Sequence, residues 1–367
     1  MTPAPGGLVA RDIMTPLGQC VREDMTLREA AAMLVRESFA PLPLLTRDGA
    51  LRGSVYHRHL VLALANGAQA ADPLHTQLDE IRVGEFRPHR VSVAGDCPIA
   101  EVGEIMKDGG LENVRVEDEG ALVGVVATED MRSFSLEPPD GIPFPPPRLI
   151  ELVQGGSRRR WLWKRFYESG KADADAIRGI LASQGYEISR FESILDFGCG
   201  CGRLIRHWKS LRDSRLYGLD YNPALVDWCR ENLPFAEFAV NGAAPPLPLD
   251  DRSIQLVYAF SVFTHLDAGL QRPWIEELRR VVGEGGLILL TLHGSSFLGD
   301  LDAAEESRFR AGELVVVNAG ASGRNECAVY HPERYIRETL AAGLELVSIA
   351  PTEETSLGQD AVVLRRP

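Results

Sequence analysis

Six of the ten residues 138–147 are proline: Pro138, Pro139, Pro143, Pro145, Pro146 and Pro147. A proline ring fixes φ and removes the backbone N–H, so this stretch cannot run as a helix interior or a central strand. It predicts a semi-rigid spacer. The spacer divides the 367 residues into two parts, each long enough to bury a core of its own. The boundaries read as one domain over 1–135, a proline-rich linker over 136–157 and a larger domain over 158–367.

The first part repeats itself. Gly49-Ala50-Leu51-Arg52-Gly53-Ser54-Val55 returns as Gly120-Ala121-Leu122-Val123-Gly124-Val125-Val126, an offset of 120 − 49 = 71 residues. That period suits a duplicated α/β unit, with copies at about 8–65 and 80–135. Thr26 and Glu29 have the spacing of a capping box, and Leu27, Ala30, Ala31, Leu34 and Val35 form an apolar stripe behind it. Strands follow at Leu42–Leu45 and Val114–Val116, each leading into an acidic-glycine turn. With Asp12-Ile13-Met14-Thr15 and Asp130, this pattern resembles a tandem pair of cystathionine-β-synthase-type (CBS) repeats. The resemblance implies a disc that forms a homodimer and holds an adenosine ligand between its copies. At the ligand-gripping positions the first copy has Tyr56 and His59. The second has Ala127 and Asp130, of which Asp130 matches, with Thr128 beside it.

In the second part a basic-aromatic run comes first: Arg158, Arg159, Arg160, Lys164 and Arg165 among Trp161, Trp163, Phe166 and Tyr167. It reads as a helix with its rings inward, and a second helical stretch follows near 172–184. Strands and helices then alternate. Strands are expected at Ser193–Phe197, Leu216–Leu219, Phe238–Val240, Ile254–Phe260 and Leu287–Leu292, and helices at Arg203–Lys209, Pro223–Asn232 and Trp274–Val282. A last helix over Arg334–Ala342 and strands at Glu345–Ile349 and Asp360–Leu364 complete the pattern. Such alternation specifies an α/β fold with a doubly wound, Rossmann-like parallel sheet. Its ligands sit at the carboxyl ends of the strands.

The first of these strands ends in Asp196-Phe197-Gly198-Cys199-Gly200-Cys201-Gly202. Glycines there let a ligand approach the backbone. The spacing is GxGxG rather than the GxGxxG of dinucleotide sites, and a carboxylate stands beside it. A pyrophosphate favours bare amides. Asp196 instead suits a ligand carrying an ammonium and a sulfonium. Asp220 closes the next strand, where a carboxylate accepts from two ribose hydroxyls.

Residues 190–294 resemble class I S-adenosylmethionine (SAM)-dependent methyltransferases. The likeness rests on Ile194 to Arg203, Leu216 to Asp220, Pro246 to Asp250 and Ser261 to Leu266, and on Gly283 to Gly286 before the fifth strand. It implies SAM as cofactor, with Gly198, Gly200 and Gly202 along its methionine portion. Asp220 falls on the ribose, Asn241 and Gly242 at the adenine, and Phe260 or Ser261 closing the pocket.

Methyl transfer is an in-line displacement, and a hydroxyl acceptor also needs a base. His265 and His293 follow the fourth and fifth strands at the ligand edge and are the candidate catalytic residues; His331 is a third histidine able to enter from the late insertion. In the insertion over 295–330, Arg308, Arg310, Asn318 and Arg324 are candidates to meet the acceptor, or else a solvated hairpin face. The function expected is methyl transfer to O or N of a small molecule or sugar unit, modulated by the CBS pair. The alternatives are a non-catalytic SAM or adenosine sensor, and a nicotinamide oxidoreductase.

The formal net charge of −13 argues against a nucleic-acid partner. No apolar run is long enough to span a membrane. Met1–Arg11 lacks the pattern of a signal peptide, so a cytoplasmic chain with reduced cysteines is expected. No carboxylate–histidine cluster argues for a metal.

Overall fold

The computed structural model describes residues 8–36, 42–74, 89–133, 137–154, 162–321, 323 and 327–367. Arg158, Arg159, Arg160, Trp161 and Arg324 lie outside them. The chain divides into two compact units, Met1–Arg165 and Phe166–Pro367.

In the first unit the two copies share one topology. Strand Val21–Arg22 runs parallel to Leu42–Leu45, which pairs antiparallel with Leu51–Val55. In the second copy Ser92–Ala94, Asn113–Asp118 and Ala121–Ala127 pair in the same way. The helix Leu27–Arg36 opens on the expected box: Glu29 N–H donates to Thr26 Oγ1 at 3.2 Å, and Thr26 N–H donates to Glu29 Oε2 at 2.8 Å. Thr15–Pro16 leaves the first copy and adds an antiparallel edge to Ala121–Ala127. The repeat period therefore locates the copies but not the exchange of this short strand between sheets. Buried Asn113 further ties the copies, its Nδ2 donating to Gly53 O at 3.2 Å. Part of the proline-rich segment forms the helix Pro147–Gln154, with Pro147 in its first turn, where a missing N–H costs no bond.

The second unit is a seven-stranded sheet. Its strands are β1 (Ser193–Phe197), β2 (Arg215–Asp220), β3 (Glu237–Val240), β4 (Ile254–Ala259), β5 (Val282–Leu292), β6 (Glu345–Ala350) and β7 (Asp360–Arg365). Their order is 3-2-1-4-5-7-6, with β1 to β5 parallel and β7 antiparallel to both neighbours. Every residue of β1 is buried, as a central parallel strand covered on both faces requires. The helices α1 (Leu162–Ser183), α2 (Pro223–Asn232) and α3 (Ala268–Val281) cover the sheet. Leu278 and Val281 of α3 join Val257, Ile288 and Val362 in the main core.

Three local expectations change. One continuous helix, α1, stands where two stretches were expected, with Trp163 and Phe166 buried and Lys164 exposed. After the glycine loop only a short 3-10 turn forms, Ile205–Trp208, because the loop consumes residues up to Leu204. The last helix is a short α turn, Glu333–Tyr335, running into a π turn over Ile336–Leu340.

Candidate active site

The site is built on the carboxyl ends of β1, β2, β4 and β5. Beyond β1 the chain turns through Gly198 (φ 81°) and Gly202 (φ 77°), left-handed conformations that L side chains rarely adopt. The space a side chain would need is already filled, by Val262 at Gly198 and by Leu233 at Gly202. The loop is pinned to β2: the N–H groups of Gly198 and Cys199 donate to Leu219 O at 2.8 and 3.0 Å. Gly200 N–H donates to Asp220 Oδ2 and Asn222 N–H to Asp220 Oδ1, each at 2.9 Å. Asp220 thus shapes the glycine loop, a role that its position in the sequence does not reveal. Each oxygen keeps a second acceptor site for a ribose hydroxyl.

Asp196 is 2% exposed, and its Oδ2 has no hydrogen-bond partner among the described residues. Trp208 Nε1 donates to Tyr258 OH at 2.9 Å, and the Tyr258 hydroxyl serves the Asp196 carboxylate. Burial outweighs this help and that of Arg203, raising the Asp196 pKa to about 7, with Asp220 pushing the same way. Burial also raises the pKa of Asp220, against the pull of its N–H donors. Arg203 is paired with Asp173 of α1 and lies 4.8 Å from the Phe260 ring centroid. Asn241 is buried at the end of β3; its Nδ2 donates to Gly242 O at 2.7 Å, which turns Oδ1 the other way, buried and without a partner.

These are unspent acceptors. A buried polar atom without a partner is costly unless a ligand completes it. Asp196 Oδ2 calls for a cation, Asn241 Oδ1 for an N–H donor and Asp220 for hydroxyls. A ligand carrying an ammonium, an amino group and a ribose has the groups that would complete them. A dinucleotide would instead bring its phosphates against two carboxylates.

On the acceptor side, His265 Nδ1 lies 2.7 Å from Cys327 O. A carbonyl only accepts, so Nδ1 carries the proton and Nε2 the lone pair. His293 is half-buried, tilted against Phe297 and Tyr330, with its Nε2 3.4 Å from Gln359 Nε2. Burial first, and then the nearby His265, lower its pKa. His331 is 1% exposed, set against Gln271 at 2.8 Å, and burial lowers its pKa to about 3. It belongs to the packing of α3 rather than to the reacting edge.

The insertion forms a hairpin, Val315–Val317 with Ala328–Tyr330, over its own small cluster of Phe309, Val315 and Tyr330. Arg308 pairs with Glu313 at 3.1 Å and Arg310 with Glu306 at 3.1 Å, both exposed. Of the two readings of this stretch, the solvated face is the one seen for these arginines. Ser261 sits at φ 58°, its N–H donating to Thr291 Oγ1 at 2.7 Å and its hydroxyl 3.2 Å from Thr264 Oγ1. Thr291, Gln359 and the Cys327 carbonyl were not singled out from the sequence. They lie far apart in the chain, and none belongs to a residue type that signals chemistry alone.

Fold, loop and orphaned acceptors together describe an α/β domain with a candidate nucleoside site. The methyltransferase-domain family matches residues 194–286, and the CBS-domain family matches 10–66 and 83–137. The chain is 23% identical over 223 residues to a tRNA N(3)-methylcytidine methyltransferase of Schizosaccharomyces pombe, covering 56% of this chain and 68% of that one. It is 29% identical over 112 residues to a malonyl-[acyl-carrier protein] O-methyltransferase of Yersinia pestis, covering 30% and 40%. A SAM-dependent methyltransferase structure from Methanosarcina mazei matches at 17% identity and TM-score 0.39, covering 50% and 96%. The chain spans about two thirds of the first relative and well under half of the second. The chain carries a methyltransferase domain, with a CBS pair ahead of it, and its cofactor is SAM. No helix among the described residues is long and apolar enough to cross a membrane.

Proposed function

We propose that the chain methylates an oxygen or nitrogen of a small molecule or sugar unit, with His265 as the general base. SAM supplies a methyl group activated on a sulfonium. Asp196, Asp220 and Asn241 hold the ammonium, ribose and adenine, with Gly242 beside Asn241, the three loop glycines along the methionine and Phe260 and Ser261 flanking the pocket. His265 takes the proton of the acceptor on Nε2. The observation that carries this reading is the 2.7 Å contact of His265 Nδ1 with Cys327 O, which leaves the basic nitrogen of the ring available at the sheet's ligand edge.

Two of the similar proteins are named for methylation at N and at O. A net charge of −13 favours a small acceptor over tRNA. The test is turnover of labelled SAM with a panel of small hydroxyl and amino compounds and with tRNA. Tight SAM binding with no transfer to any of them would favour a sensor; transfer to tRNA alone would overturn the small-molecule assignment.

The CBS pair is proposed to dimerise the chain and to modulate transfer through an adenosine ligand at Asp130. Asp130 Oδ2 accepts from Ala127 N–H at 2.8 Å, as His59 Nδ1 does from Tyr56 N–H at 3.1 Å in the first copy. The equivalence of the two caps supports the duplication, and the resemblance places the ribose of the ligand at Asp130. Calorimetry of the full chain with AMP and ATP, repeated on Asp130→Ala, tests the ligand, and sedimentation tests the dimer.

A further inference from the structure

The ends of three strands meet at one side chain that the proposed mechanism leaves without a task. Gln359 immediately precedes β7. Its Oε1 accepts from Thr291 Oγ1 at 2.5 Å, its Nε2 donates to Ser261 Oγ at 3.0 Å, and the same Nε2 lies 3.4 Å from His293 Nε2. Ser261 follows β4, Thr291 lies in β5 and His293 follows β5.

The hydroxyl of Thr291 sets the polarity of this ring. Thr291 is fully buried, and its oxygen already accepts from Ser261 N–H. Its hydroxyl proton therefore needs an acceptor, and Gln359 Oε1 is that acceptor. Turning the amide over would strand the buried hydroxyl proton, which costs about 1–3 kcal/mol. Held in this sense, the amide shows only N–H to Ser261 and His293. An N–H cannot face another N–H, so the His293 Nε2 beside it must carry the lone pair. The His293 proton then sits on Nδ1, which is buried on the side of the Val329 carbonyl but outside hydrogen-bond geometry.

We infer that Gln359 is a positioning residue: through one polarised amide it keeps His293 neutral and fixed in its Nδ1–H form, leaving His265 as the proton acceptor. This deepens the proposed function and rests on its assignment of the acceptor edge. The physical value lies in charge. An imidazolium at this edge would repel the sulfonium that the cofactor brings, and two interchangeable bases would leave the proton without a defined path. Gln359 removes both problems, while Thr291 and Ser261 hold the amide. The other titratable groups near His293 are His265, Asp300, Asp360 and His331; the carboxylates would favour its charged form and the histidines its neutral form.

Histidine ring nitrogen shifts of the ¹⁵N-labelled full chain test this without any knowledge of the acceptor, the His293 signals being assigned by their loss in His293→Gln. In the native chain His293 should show one protonated nitrogen, Nδ1, and titrate below the ordinary histidine range, the direction in which burial moves it. Gln359→Glu replaces the N–H donor with a carboxylate. It should protonate Nε2 and move the His293 midpoint up by about one unit or more. A native His293 protonated on Nε2 would overturn the inference by itself. So would a Gln359→Glu midpoint unchanged from the native one. Calorimetric titration of the native chain with SAM is run alongside. Failure to bind SAM would sink the methyltransferase site, while the ring shifts would still report on Gln359.

Discussion

The two sides of the sheet's ligand edge are built on opposite principles. On the cofactor side, around β1 to β3, the protein leaves acceptors unspent: Asp196 Oδ2 and Asn241 Oδ1 are buried without partners, and burial raises the pKa of both Asp196 and Asp220. On the acceptor side, around β4, β5 and β7, Ser261, Thr291 and Gln359 satisfy one another and no carboxylate belongs to that ring, so that only the neutral His293 Nδ1 beside it is buried without a partner among the groups named here. The difference teaches which partner each side awaits. The first carries a desolvation cost that the proposed cationic nucleoside would offset. The second is neutral and already hydrogen-bonded, so it can orient an acceptor without competing for the sulfonium.

The sharpest way to break this contrast is to remove the base. His265→Gln keeps a polar side chain but no titratable lone pair. A positioned general base contributes about 10²–10⁴-fold. Turnover of labelled SAM, once an acceptor is in hand, should fall within that range while calorimetric SAM affinity stays within about twofold. Equal losses in turnover and SAM affinity would mean that His265 belongs to the cofactor side.

The second disruption falls on Asp220, which anchors the loop and is proposed to hold the ribose. Asp220→Asn keeps one acceptor oxygen but turns an NH2 toward either Gly200 N–H or Asn222 N–H. Leaving a buried donor unmatched costs about 1–3 kcal/mol, so SAM affinity should drop about 10- to 100-fold. The thermal midpoint should fall as well, because the glycine loop loses its anchor. Native affinity in this variant would contradict the ribose assignment.

The two sides also differ in how much of them the sequence disclosed. The cofactor side was legible because its chemistry is local: Asp196 and the glycines share seven residues, and Asp220 closes the next strand. Even so, the hold of Asp220 on Gly200 N–H required the fold, since it depends on β1 and β2 lying side by side. The acceptor side is assembled from Ser261, Thr291, Cys327 and Gln359, nearly a hundred residues apart at the extremes, and a backbone carbonyl has no side-chain signature. From the sequence, His265 and His293 are the candidate bases and His331 is a third histidine within reach. Burial separates them: His331 is sealed against Gln271, His293 is faced by an amide, and His265 keeps a lone pair at the edge. The N-terminal repeat was legible for the same reason as the glycine loop, through its local pattern. The pairing of Thr15–Pro16 with the second copy was not, because no period encodes a strand exchange.

The smallest expected effect concerns pH, and it isolates the cofactor side. Asp196 has a folded pKa of about 7, above the ordinary carboxylate value of about 3.9. Between those two values the folded chain holds a proton that the unfolded chain has released. The contribution of this group to stability is therefore complete below about pH 4, declines as pH rises toward about 7, and is flat above it. An ammonium placed at Oδ2 favours the ionised form, so SAM binding expels that proton. Affinity should then climb by at most about tenfold per pH unit up to about 7 and level off beyond, with protons released in calorimetry performed in buffers of different ionisation enthalpy. Asp196→Asn should bind more weakly above about pH 7 and lose the slope, while the His293 midpoint stays where it was. A slope that survives this substitution would move the titrating group to the acceptor side and erase the division drawn here between an unspent, acidic half and a satisfied, neutral one.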